Sequence, residues 1–271
     1  MTFTPFLSGC DLIEAFLAPK ADLWARWEAH DETARESIDH SAWAVFLRSY
    51  LMPDARGINR LVYGKVSERD RVALREYLGR LGTVPISRYS RAEQLAFWVN
   101  FYNALTVNLI LSHYPVESIL DIRISPGLLG YGPWDKHIVE VEGESLSLND
   151  IEHRILRPIW RDARIHYVVN CAAVGCPNLP ARPLTARTAE AMLDAGARAY
   201  INQFRGAILE NGKLSVSKIY NWFSEDFGTK DREIIRHLMR YAQPSLAERL
   251  SGTKKISGYH YDWALNGAVG N

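Results

Sequence analysis

Hydrophobic and polar positions keep two different rhythms on either side of about residue 85. Before it, three stretches place apolar residues at helical spacing: "DLIEAFLAPKADLWARWEAHDE", "DHSAWAVFLRSYL" and "SERDRVALREYLGRLG". The third begins with Ser67 as an expected N-cap and Asp70 at the capping-box position, and Gly82 falls near its end. Then comes "SRAEQLAFWVNFYNALTVNLILSHYP", apolar on nearly every side, which predicts a buried central helix that Pro115 stops. Past the Gly/Pro-rich loop "SPGLLGYGPWD", the alternation of "KHIVEVEGESLSL" predicts a hairpin. "SLNDIEHRILRP" predicts a short helix, capped through Ser147 and Asp150 and halted at Pro158. "RIHYVVN" predicts a strand and "TARTAEAMLDAGARAYINQ" a helix. Asn211-Gly212 between the apolar runs of "AILENGKLSVSKIY" predicts a tight hairpin, followed by a helix from about Asp231 to Tyr241 and the aromatic tail "SGYHYDWALN".

Helices first and short strands later give an α+β fold class. The expected organisation is a helical N-terminal part over residues 1–85, packed on a main domain over 86–271. There the buried central helix lies against a small, mostly antiparallel sheet, and the whole forms one globular unit.

Polar residues in this apolar frame mark candidate chemistry. Asn100 and Asn103 share one face of the central helix with Glu93, and a buried amide without partners costs about 1–3 kcal/mol. They either satisfy loop backbone or line a polar cavity. On helix 147–157, Asp150, His153 and Arg157 fall on one flank; Asp150 either orients His153 or forms a surface ion pair with Arg154. On the expected strand, His166 and Asn170 point to one side, and Cys171 stands at the strand end, a rigid position facing a cleft. Cys176 follows in a turn before Pro177.

Three readings compete for the two cysteines. They are buried small hydrophobes, a thiolate nucleophile with His153 or His166 as base, or metal ligands together with His166. The four-residue gap is not a metal-knuckle spacing, so no metal and no cofactor is expected.

Composition narrows the class. Of 271 residues 47% are apolar, enough for a substantial core, and 32 basic residues nearly balance 31 acidic ones, which gives no electrostatic track for nucleic acid. No run approaches the roughly 20 apolar residues of a membrane span. Three cysteines do not make a disulfide framework, so a reducing, cytoplasmic setting and a soluble protein are expected. "LSGC" at Leu7 to Cys10 has the form of a lipoprotein cleavage box with only "MTFTPF" before it; export or lipid anchoring is the alternative if the true start lies upstream.

Together "IDHSAWAVFLRSYL", "AEQLAFWVNFYNALTVNLIL", "YPVESILDI", "GPWDKHIVEVEGESLSLNDIEHRILRP", "RIHYVVNCAAVGCPNLP", "LDAGARAYIN", "LSVSKIYNWFSEDFG" and "YDWALN" resemble the family of domain of unknown function 547, over about residues 38–266. The resemblance is to bacterial-type proteins of mostly uncharacterised function, and it carries no catalytic assignment. Two functions are weighed on the residues. The first is a thiol-dependent hydrolase or acyltransferase on peptide-like amides, with Cys171 or Cys176 attacking, His153 or His166 as base, and Asn100 or Asn103 orienting the imidazole or stabilising an oxyanion. The second is a non-catalytic domain that binds a small molecule, peptide or protein in a polar-lined pocket formed around Cys176, Asn170 and Arg157, with Trp134, Trp222 and Trp263 as walls.

Overall fold

The computed structural model describes residues 18–126 and 132–268. Cys10 and residues 11–17 of the first expected helix therefore lie outside the described residues, as do positions 127–131 of the Gly/Pro-rich loop. The fold is α+β.

Helix α1 (Ser41–Tyr50) leads into a two-stranded ribbon, β1 (Leu51–Pro53) and β2 (Asn59–Leu61). Helix α2 (Glu68–Gly82) starts where expected, with the Ser67 hydroxyl accepting from the Asp70 amide at 3.2 Å. Helix α3 (Arg91–His113) is the central helix, and eighteen of its residues are buried. Its length and hydropathy of 1.3 would suit a membrane span, but 89% of that window is buried inside the protein. A hairpin, β3 (Val139–Val141) and β4 (Glu144–Leu146), precedes a wide π-helical segment (Asp150–Leu156) that continues into α4 (Arg157–Trp160). Helix α5 (Ala189–Ile201) leads to β5 (Ala207–Glu210) and β6 (Lys213–Ser217), joined at Asn211-Gly212. Short helices α6 (Ile219–Trp222) and α7 (Ser224–Phe227) follow, then α8 (Asp231–Tyr241), α9 (Pro244–Ser251) and β7 (Ile256–His260). Strand β7 pairs parallel to β6, so the larger sheet is mixed.

Two apolar cores result. One wraps α3 and takes in Trp27, Trp43 and Leu78 from the N-terminal stretch with Ile151, Leu156 and Leu193 from later elements. The other joins α5 to the three-stranded sheet, α8 and α9.

Two expected elements are absent. Residues 164–170 are not a strand: Ala163–Tyr167 form a 3-10 turn, begun by the Asp162 side chain accepting from the Arg164 amide at 2.8 Å. The β-branched residues there have no neighbouring strand to pair with, and buried packing overrides their propensity. The N-terminal stretch is also not α-helical within its described part, where only Ala25–Glu28 make a single 3-10 turn. The physical reason lies at Pro158. Lacking an N–H, it cannot serve the carbonyls of His153 or Arg154. The extended chain before Trp24 supplies the missing donors: Asp22 N–H to His153 at 2.9 Å and Trp24 N–H to Arg154 at 3.0 Å.

Candidate functional site

The π-helical segment turns an unusual set of side chains inward. Glu152, His153 and Arg157 are all buried, and so is His166 from the 3-10 turn beneath it. Arg157 joins them: Nε donates to Asp226 at 2.6 Å, Nη2 to Glu225 at 2.6 Å, and Nη1 to the Pro19 carbonyl at 2.9 Å. The same Nη1 lies 3.0 Å from His153 Nδ1. A guanidinium only donates, so Nδ1 accepts and the His153 proton sits on Nε2. Burial, with the Arg157 charge beside it, lowers the His153 pKa to about 4 against the pull of Glu152, and the ring is neutral at pH 7.

His166 is the opposite case. Burial pulls its pKa down, but Asp226 at 2.7 Å from Nε2 and Glu152 at 3.6 Å from Nδ1 outweigh burial and raise it. Its ring also stacks on Phe223 with centroids 4.5 Å apart. Glu152 is pushed up by burial, yet the imidazoles of His153 and His166 and the Tyr102 hydroxyl hold it down to about 2. The pKa values of two imidazoles in one cluster are thus shifted in opposite directions.

Outside this cluster lies an open cleft of about 440 Å³ that has His153 in its wall. Three carboxylates (Asp22, Asp135, Asp150), two cations (Lys20, Arg154) and a second imidazole (His137) line it. Asp150 pairs with Arg154 at 3.1 Å and caps the segment by accepting from the Ser147 amide and hydroxyl, so it does not orient His153.

The sequence-derived candidates do not meet in one hollow. Asn100 uses both ends of its amide on Leu184, donating to its carbonyl at 2.8 Å and accepting from its N–H at 2.9 Å. Asn103 likewise bridges the Val168 carbonyl and the Asn170 amide. Neither is left to orient an imidazole or to stabilise an oxyanion. Cys171 is not a free thiolate: it is joined to Cys176 in a disulfide, which corrects the expectation of reduced cysteines. Both sulfurs share a contact with the Tyr261 hydroxyl, at 3.2 Å from Cys171 and 3.1 Å from Cys176. His153 and His166 are engaged with Arg157, Glu152 and Asp226 instead. Asn170 holds the disulfide loop, while Trp222 and Trp263 pack on Tyr261 at 4.8 Å and 4.7 Å, with Trp134 behind Trp263. These tryptophans surround Tyr261 and form no part of the cleft wall. Among the described residues no three His, Cys, Asp or Glu side chains are arranged to hold a metal ion.

Sequence reading missed Glu152, Asp226 and Tyr261. "EDFG" holds Glu225 and Asp226 in plain view, but nothing in spacing ties Asp226 to a histidine sixty residues earlier.

Residues 86–201 match the family described as "Protein of unknown function, DUF547". The match covers less than half of the 271 residues. It takes in α3, the π-helical segment, the disulfide loop and α5, and is narrower than the 38–266 over which motifs resemble the family. Asp226 and Tyr261, which complete the buried cluster and the sulfur site, fall beyond its matched residues. No curated protein and no solved structure matches the chain.

Proposed function

We propose that the cleft beside His153 is a non-catalytic binding site that receives a small zwitterionic molecule of amino-acid size. The carrying observation is the cleft itself: about 440 Å³, within the range of small-molecule sites, and lined by charges of both signs. Carboxylates suit an ammonium group, while Lys20 and the N–H of His153 suit a carboxylate. The arrangement behind it supports the same reading. A neutral His153 held by Arg157, itself fixed by Glu225 and Asp226, is a preorganised wall.

A thiol hydrolase needs a free thiolate beside an imidazole. Here the sulfurs are paired with each other, and both imidazoles have other partners.

Thermal-shift measurements across the common amino acids, with monosaccharides and dicarboxylates as controls, test the proposal. At least one amino acid should raise Tm by about 2 °C or more at roughly 100 times its Kd. The shift should vanish in Lys20→Ala and Asp135→Asn, which alter exposed lining residues. No shift with any amino acid, or one that survives both substitutions, overturns it.

A further inference from the structure

The geometry points to a second activity, remote from the cleft chemistry: Cys171–Cys176 is an exchange-active disulfide, attacked at Cys171 by a dithiol partner and leaving on Cys176. Three observations carry it. The first is access. Cys171 is half-buried while Cys176 is 5% exposed, so an incoming thiolate reaches Cys171.

The second is the setting of the leaving sulfur. Cys176 Sγ accepts from the Cys171 amide at 3.1 Å, a donor that Cys171 Sγ lacks, and from the Tyr261 hydroxyl at 3.1 Å, which it shares with Cys171 Sγ at 3.2 Å. Two donors aimed at one sulfur favour its thiolate form. Burial raises the Tyr261 phenol well above its ordinary value, so it keeps its proton and remains a donor.

The third is that the loop does not need its cross-link. Asn170 spans it, donating to the Pro177 carbonyl at 2.6 Å and accepting from the Ala172 amide at 2.8 Å. Arg205 donates to the carbonyls of Val174 and Cys176, and Tyr200 to that of Gly175. The Val174 and Gly175 amides bond to the carbonyls of Ala264 and Asp262. A cross-link between residues five apart gains less from chain entropy than one closing a long loop. The two thiols would therefore stay in place after reduction. Ala172, next to the attacked sulfur, is held at φ 62°, a left-handed conformation that a non-glycine residue adopts at a cost.

The exchange balances as follows. A thiolate of the dithiol attacks Cys171 Sγ, a mixed disulfide forms, the Cys171–Cys176 bond breaks, and its electron pair leaves on Cys176. The partner's second thiol loses its proton to solvent and attacks its own sulfur in the mixed disulfide. Cys171 departs as thiolate and the partner closes its disulfide. Two electrons pass from the dithiol to the protein, and the reverse direction oxidises a dithiol.

The full chain in a Cys10→Ser background tests this. After folded protein is treated with dithiothreitol and quenched with iodoacetamide, mass spectrometry should show two carbamidomethyl groups, with the far-UV circular dichroism unchanged. Cys176→Ser, which keeps Cys171, should form a mixed disulfide with 5,5′-dithiobis(2-nitrobenzoate) at least about tenfold faster than Cys171→Ser. Tyr261→Phe should slow reduction by dithiothreitol by roughly tenfold. Resistance to reduction in the folded state, unfolding on reduction, or equal trapping rates in the two serine variants overturns the proposal. Amino-acid binding is read separately and does not decide it.

Discussion

At the residue scale the molecule is governed by one guanidinium. Arg157 is buried with two carboxylates, an imidazole and a backbone carbonyl around it, and it lies over the Phe223 ring at 4.8 Å. Removing the guanidinium takes a partner from half-buried Asp226 and from buried His153 Nδ1, while the more open Glu225 turns to solvent. Arg157→Ala should therefore cost about 3–5 kcal/mol in urea unfolding, well beyond the value of an exposed pair. The histidines set the pH response. His40 and His153, both buried, have pKa values lowered to about 4, His40 by burial and His153 by burial with Arg157. The unfolded chain binds those protons near pH 6.5, so stability falls as pH drops from 7 toward 4, by about 1–2 kcal/mol for each ring at pH 5. His166 runs the other way. Its raised pKa stabilises the fold below pH 6.5, and that contribution is lost as pH rises through the folded value. Urea midpoints measured from pH 5 to 9 should peak near neutrality, and His40→Asn should flatten the acid side.

At the element scale, α3 acts as a clamp. Asn103 takes both polar groups of the turn that leads into the disulfide loop, and Asn100 does the same for Leu184 ahead of α5. Asn103→Ala leaves a buried carbonyl and a buried amide without partners. Each costs about 1–3 kcal/mol, so a loss of roughly 2–6 kcal/mol is expected in urea unfolding. Local thermolysin cleavage between residues 168 and 178 should accompany it. The asparagines were legible in sequence as polar residues that needed partners; that the partners were backbone was one of two open readings. Helices α1, α2, α3, α5 and α8 and the Asn211-Gly212 hairpin were legible as well, because their caps, periods and turns are local. The turn at 163–167 was not. Its composition favours a strand, and only the missing neighbour, a tertiary fact, decides against one.

At the scale of the whole molecule, contacts distant in sequence build the site. The cluster draws on residues 19, 102, 152–157, 166 and 225–226, and the stretch that matches the family model supplies only its middle part. This is why the α+β class could be read from the chain while the cluster could not: periodicity reports a neighbour's face and never its partner across the fold. The extended segment before Trp24 shows the dependence most directly. Pro19 lends its carbonyl to Arg157, the Ala21 amide donates to Glu225 at 2.7 Å, and the Asp22 and Trp24 amides serve the carbonyls of His153 and Arg154. The Trp24 ring lies under Arg154 at 4.4 Å. Two truncated chains isolate this strap, one starting at residue 18 and the other at residue 25. Their difference in unfolding free energy should be about 2–4 kcal/mol, the sum of a few net hydrogen bonds and the orphaned carbonyls. The shorter chain should also gain rapid amide exchange across residues 152–160, measured by mass spectrometry. Equal stability and equal exchange in the two chains would mean that the π-helical segment stands without its strap.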